Sequence, residues 1–369
     1  VGTTLMGVPF DAGRLMVTGS AVPLMQDVAR ASRSDNEPRD AHYAIAAGTL
    51  VWVSGREDEN VQLVLSDPDG RLTPLVLPPG RYDTPRVSPD GRRLAVGVAD
   101  PREAYIGIWD LDGRTALRRL TYGGHNRYPV WSRDGQHVTF QSDRDSDLGI
   151  FWQRADGSTS AERLTRPEPG SAHVPASWSP KDETLLFAVV STRTTSDLGA
   201  VWTYTRPSGT TAPFGGVQGA AQSPVFSPDG RWVSYSVRTG GGAVPMGLFV
   251  EPFPATGARY QAPRLNPSPG AHSFWSPDGT RLFFAPGRDQ MAVVTMTTQP
   301  TVAFGNPTLV PRQFSLDDRG PAQPRAFDIM PDGRILGLVA PRQPGDSRQE
   351  EIRIAINWFE ELKRLVPTH

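Results

Sequence analysis

The 369-residue sequence contains no cysteine, which excludes disulfides, thiolate metal sites and a cysteine nucleophile. It also lacks any run of about 18 apolar residues, so nothing in it reads as a bilayer-spanning helix. Neither sign of charge dominates: 38 basic and 39 acidic residues are interspersed, for a formal charge of −1. Such a balance gives no electrostatic reason to expect nucleic acid or an anionic membrane as partner. The start at Val1, without Met and without a charged-then-apolar leader, shows no signal peptide and reads as a trimmed beginning.

What is plentiful points to strands. There are 37 Gly and 36 Pro, and both break helix interiors. Nine Trp and fifteen Phe supply apolar faces for a core. The segment Ser88-Pro89-Asp90-Gly91 recurs as Ser132-Arg133-Asp134-Gly135, Ser179-Pro180-Lys181-Asp182, Ser227-Pro228-Asp229-Gly230, Ser276-Pro277-Asp278-Gly279 and Met330-Pro331-Asp332-Gly333. A decayed copy stands at Ala46-Ala47-Gly48, and the spacings between copies run from 43 to 54 residues. That period is the length of a propeller blade. Each turn follows a short apolar segment such as Tyr128-Pro129-Val130-Trp131 and precedes an apolar strand such as Val138-Thr139-Phe140. A third strand (Ile106-Gly107-Ile108-Trp109) and a short fourth (Ala116 to Leu120) complete the unit.

Four antiparallel strands cannot bury both faces alone, so the units must stack round an axis and the ring must close. The expected fold is an all-β, seven-bladed propeller over 1–369 as a single domain, with six blades as the alternative if the copy at 46–48 is not a blade. The last repeat lacks a clear fourth strand, so residues 1–28, with Leu5 to Phe10 and Val22 to Met25, are expected to close it. Trp358, Phe359, Leu362, Leu365 and Val366 recur at helical spacing and predict a helix over 357–366, stopped by Pro367 and packed on the ring edge or docked to a partner.

The Ser-Pro-Asp-Gly repeats, the loop Gln141-Ser142-Asp143-Arg144-Asp145 and the ending Asn357-Trp358-Phe359-Glu360-Glu361-Leu362-Lys363-Arg364 resemble TolB-like propellers. More narrowly they resemble the extracytoplasmic propeller that follows the kinase domain in some bacterial serine/threonine kinases. The resemblance implies ligand sensing or binding of a protein partner, and an extracytoplasmic location. No kinase signature accompanies it: the sequence has no Gly-rich loop before a strand lysine and no His-Arg-Asp or Asp-Phe-Gly.

Four of the six histidines fall near one place in the repeat. His42 stands 6 residues before Gly48, His125 10 before Gly135, His173 9 before Asp182 and His272 7 before Gly279. All are expected where the chain enters a blade, at one mouth of the axial channel. Imidazoles from several blades aimed at one point suit zinc first, with iron, manganese, nickel or copper as alternatives, and leave positions open for water. A metal there activates water and polarises an ester or phosphoryl oxygen. The expected activity is hydrolysis of a small ester, lactone or phosphotriester at the channel mouth, with Asp83, Tyr128 and Arg325 as base, orienting group and anion contact. The bland reading stands beside it: imidazoles at a wet mouth hydrogen-bond water or loop backbone, and the propeller is a non-catalytic module for sensing a ligand or binding a protein. His137 and His369 carry no functional expectation.

Other signals reduce to structure. Asp143, Asp145 and Asp147 offer alternate carboxylates but lack a complete calcium-loop pattern. The repeated Asp90, Asp134, Asp229, Asp278 and Asp332 are turn residues. The sequence has no Gly-x-Ser-x-Gly elbow and no dinucleotide or P-loop fingerprint, and Gly240-Gly241-Gly242 reads as a strand connection. The Trp series at 109, 131, 152, 178, 202, 232 and 275 follows the strand repeat as inter-blade core.

Overall fold

A computed structural model describes residues 4–26, 28, 42–54, 60–99, 103–193, 199–215, 221–238, 246–265, 271–287, 290–299, 301–311, 324–341 and 351–365. Gly240 to Gly242 and His369 lie outside the described residues. The chain divides into two compact units, Asn60–Pro341 and the pair of segments Val1–Glu59 and Arg342–His369, where the sequence reading treats 1–369 as one.

The larger unit is built on its turns. In Ser88-Pro89-Asp90-Gly91, the Ser88 hydroxyl donates to Asp90 and accepts the Arg93 amide at 2.9 Å. Asp90 in turn accepts the Arg92 amide at 3.1 Å, and Gly91 adopts φ +70°, a region in which a side chain is strained. The same serine-to-aspartate bond recurs at Ser132–Asp134, Ser227–Asp229 and Ser276–Asp278. These aspartates are therefore occupied in holding their own reversals. The Ser276 hydroxyl and the Thr280 amide hold the Asp278 carboxyl down to about 2.

Each turn joins an innermost strand to the next one outward. Blade I orders Tyr82–Val87, Arg93–Ala99, Ala104–Asp110 and Arg118–Arg119 as consecutive antiparallel neighbours. Blades II (126–163), III (171–213) and IV (221–261) repeat that order, and blade V (271–310) adds a fifth strand, Thr308–Val310. Blade VI takes Asp328–Ile329 and Ile335–Val339 as its inner pair and Gln62–Ser66 and Leu72–Pro74 as its outer pair. Its ladder runs from Ile335 opposite Ser66 to Val339 opposite Gln62.

A ring with no free edge needs as many packed interfaces as blades. Six apolar clusters supply them. Leu336 and Leu338 of blade VI pack with Leu94 and Trp109 of blade I. Ile106 meets Phe140 between I and II, and Trp152 meets Trp178 between II and III. Val201 meets Tyr235 between III and IV, Val250 meets Trp275 between IV and V, and Phe274 meets Phe327 between V and VI. Most of the tryptophans sit at these seams as expected, and several pin them with ring N–H donors. Trp131 donates to the Arg86 carbonyl at 2.9 Å, and Trp178 donates to the Thr139 hydroxyl at 2.9 Å.

The structure corrects two expectations. The described part of the larger unit has six blades, and the copy at 46–48 is a hairpin turn of the smaller unit between Tyr43–Ala46 and Thr49–Ser54. Closure uses an N-terminal segment, but it is 62–74 and not 1–28. Leu5–Gly7 instead pairs with Val22–Met25, and Phe10–Asp11 with Met16–Val17, as separate two-stranded ladders of the smaller unit. Lacking an inner pair to extend, these short strands pair with each other.

The smaller unit also holds a three-stranded sheet in which Thr49–Ser54 lies between Tyr43–Ala46 and Glu351–Ala355. The tail forms the helix Trp358–Leu365, starting one residue later than expected, and Val366 lies outside the described residues. Trp358 is buried and its amide bonds the Gly48 carbonyl, anchoring the helix within this unit. Glu360 and Glu361 occupy its first turn and Lys363 and Arg364 its last, the arrangement its dipole favours.

Candidate functional site

The innermost strands do not run straight. Blades I, II, IV and V each break register near the middle of the inner strand. At that point Thr84, Tyr128, Ser223 and His272 take positive φ values of 41 to 59°. In three of the four, proline follows: Pro85, Pro129 and Pro224. Proline has no N–H to give the ladder, so it is tolerated where a bulge has already interrupted pairing. Beyond the bulge each strand runs to its turn, and these turn-side ends converge.

They enclose a cavity of about 340 Å³ to which all six blades contribute. Val130, Trp131, Val225, Phe226, Phe274 and Trp275 form apolar walls, and Pro89, Pro228, Pro277 and Pro331 of the repeated turns line the cavity as well. Among the described residues, four charged ones face this space: Arg86, Arg325, Asp328 and the exposed Arg133. A volume of this size, lined in near-equal measure by polar and apolar surface and with a few convergent charged groups, is that of a ligand site.

The charges at its inner end are buried. Arg86, only 7% exposed, directs Nη1 at the carbonyls of Pro85, Arg325 and Phe327, at 2.7, 3.0 and 3.3 Å. Arg325 pairs with Asp328 through Nη2 at 2.7 Å and donates Nε–H to the Phe327 carbonyl. Asp328 completes the knot by accepting the Val87 amide at 2.9 Å. Burial and the neighbouring Arg325 push the Arg86 guanidinium down to about 9, against the pull of Asp328 and Asp83. It remains charged at neutral pH.

Within the larger unit, His125, His173 and His272 do not share one point. His125 is exposed and binds Asp143 through both Nδ1 and its own amide, at 2.9 and 2.6 Å. His173 lies within the inner strand of blade III, 8% exposed, with Nδ1 2.8 Å from the Thr165 hydroxyl and its ring 4.8 Å from Phe187. Burial pushes it down to about 4. His272 sits on the bulge of blade V, with Nδ1 3.4 Å from the Ser223 hydroxyl. Burial, then Arg325 and Arg86, push it down to about 4. His42 belongs to the smaller unit, exposed, with its carbonyl bound by the Val53 amide. Among the described residues no group of three or more His, Asp or Glu side chains is placed to hold a metal ion. Of the set expected to share a zinc ion, His125, His173 and His272 therefore do not fit a common site, and His42 belongs to the other unit.

Register explains the difference. His125 stands seven residues before Ser132, His173 six before Ser179 and His272 four before Ser276. His125 precedes the first residue of its inner strand, His173 lies within its strand, and His272 sits on the bulge, so the three rings occupy different places along the axis. Of the other expected groups, Arg325 lines the cavity, whereas Asp83 and Tyr128 do not. Tyr128 is buried against Val174 and Ala188. Asp143 binds His125, while Asp145 and Asp147 pair with Arg163, so the acidic loop is neutralised within the chain. His137 is half-buried and stacks on Trp152 at 4.2 Å.

Arg86 and Asp328 carry no expectation from the sequence, yet a signal for both is present there. Each stands two residues before the first residue of its repeated turn, where blades II, IV and V carry Val130, Val225 and Phe274. Opposite charges at matching apolar positions of neighbouring blades mark a pair.

Six antiparallel blades closed round an axial cavity make the larger unit a β-propeller. The chain belongs to the TolB β-propeller family, whose PD40 domain model, described as TolB beta propeller domain, matches residues 47–244. It is 33% identical over 105 residues to the Tol-Pal system protein TolB of Alcanivorax borkumensis, a match spanning 28% of this chain and 24% of that protein. Among solved structures it is similar to a protein described as TolB from Agrobacterium tumefaciens, with TM-score 0.58 and 14% identity over 77% of this chain and 99% of that one. It is similar also to the hydrazine synthase of Kuenenia stuttgartiensis, with TM-score 0.53 and 15% identity over 85% and 94%. At these identities the structural likeness speaks for the fold alone.

Proposed function

We propose that this propeller is a non-catalytic recognition module that takes a segment of a protein partner into the turn-side mouth of its axis. The observation that carries this reading is the six-blade cavity, with tryptophan and phenylalanine walls and arginines at its inner end. Apolar walls with a few fixed polar groups suit recognition of an extended peptide. The relative from Alcanivorax borkumensis is named as part of a multi-protein system, which supports a protein partner. The tail's resemblance to propellers that follow kinase domains supports the same sensing role. Metal-dependent hydrolysis has less support, because the histidines have other partners and two of the three expected catalytic groups lie off the cavity lining.

The test uses peptides displayed on phage and selected on the purified chain, with binding followed by the fluorescence of Trp131, Trp178 and Trp275 in the cavity wall. Ala176→Trp, which fills the cavity from blade III, is expected to weaken selected peptides at least tenfold while the folded state persists. Peptides that bind the filled variant as well as the parent would refute the reading. So would ester hydrolysis by the parent that stops on chelation.

A further inference from the structure

We propose that a monoanion, either a halide ion or a carboxylate group, binds in a second and smaller axial cavity between the guanidinium groups of Arg86 and Arg325. This cavity measures about 30 Å³ and adjoins the larger one, sharing Arg86, Ala176, Val225 and Arg325 with it. One water needs about 10–15 Å³ of such space, so a single ion of chloride size or one carboxylate fits.

The chemistry of the lining selects the sign. Val174, Pro175, Ala188 and Pro224 are among its apolar residues. Among the described residues, Arg86, Ser223 and Arg325 are its only side chains with hydrogen-bond donors, and no carboxylate lines it. Both oxygens of Asp328 are already engaged, one by Arg325 and one by the Val87 amide. The partners that hold Arg86 Nη1 are carbonyls, which satisfy donors without cancelling charge. Asp83 attracts Arg86 but lines neither cavity.

Buried Arg86 and half-buried Arg325 thus face these cavities with Asp328 as the one carboxylate lining them among the described residues, while Asp83 pulls on Arg86 from outside. A buried charge is destabilising to the extent that nearby charges leave it uncompensated. The blade repeat does not require Arg86, since equivalent positions in blades II and IV are Val130 and Val225. An anion between the guanidiniums balances the excess, and Ser223 is placed to donate to it. The proposal does not depend on what occupies the larger mouth.

The experiment compares thermal unfolding of the whole chain in sodium gluconate, sodium chloride and sodium acetate at one ionic strength. Gluconate is too large for the cavity. A free anion at about a hundredfold excess over its Kd raises the Tm of a chain of 369 residues by roughly 3–5 °C. A rise in chloride alone assigns a halide ion, a rise in acetate alone assigns a carboxylate, and a rise in both assigns a site open to either. Equal Tm values in the three salts overturn the proposal. Ala188→Val fills the small cavity without touching the larger one, and Arg325→Gln removes a cation. Each is expected to abolish the difference between salts, and a difference that persists in both is a bulk salt effect that overturns the proposal. Should neither variant fold, crystals of the parent chain grown in bromide decide. Anomalous density between Arg86 and Arg325, or acetate density there in crystals grown in acetate, supports the site, and the absence of both overturns it.

Discussion

Acid attacks this ring at a place that can be named. The His173 ring lies in the seam between blades II and III, hydrogen-bonded to Thr165 of one and packed on Phe187 of the other. Burial holds it at about 4, with Asp147 opposing the shift and Arg163 adding to it, whereas an unfolded chain protonates histidine near 6.5. Between those values the unfolded state binds the extra proton, so stability is intact above about pH 6.5 and falls as pH drops toward 4. At about pH 4.5 the loss from this one residue is about 2.5 kcal/mol, a drop in Tm of roughly 3–4 °C for a chain of 369 residues. The assay is far-UV circular dichroism against temperature at about pH 7 and about pH 4.5, for the parent chain and for His173→Gln, which keeps a hydrogen-bonding side chain but does not titrate. The variant is expected to lose less stability on acidification than the parent by the amount above, while keeping the share that His272 contributes. Equal acid-induced drops in the two proteins would show that the reasoning about His173 is wrong.

Ser227→Ala removes a buried hydroxyl that donates to Asp229 and accepts the Trp232 amide, so stability is expected to fall by about 1–3 kcal/mol. A urea midpoint that does not move would contradict the role given to the repeated turn. Elemental analysis of the chain purified without an affinity tag is expected to find less than stoichiometric zinc, and chelation is expected to leave Tm unchanged. Stoichiometric metal that disappears in a His173→Ala, His272→Ala double variant would restore the metal centre.

The blade repeat was legible because its turn chemistry is local. Serine, aspartate and glycine at fixed offsets form the same bonds in blade after blade, and the apolar strands on either side follow from the period. The closure was legible only as a need. Gln62–Ser66 has the apolar pattern of any outer strand, and nothing local says that its partner lies at Ile335–Val339, because such pairing is set across the whole ring. The placement of the histidines is hard to read for a related reason. Loop lengths blur the count from a turn to a histidine, and one residue of drift reverses the face a side chain occupies. Arg86 and Asp328 sit close enough to their turns to escape that drift, and counting from the turn inward would have found them.

The order of the strands also dictates a schedule for synthesis. Thr49–Ser54 is made early, but its neighbour Glu351–Ala355 emerges only after every strand of the ring. Domains tend to fold as they leave the ribosome, N-terminal parts first, yet this sheet must wait with one edge open until residue 355 has been translated. The ring is thus expected to be complete before the sheet that brackets it in sequence can begin, and a chain stopped short of residue 351 would carry a finished propeller beside an unmatched strand.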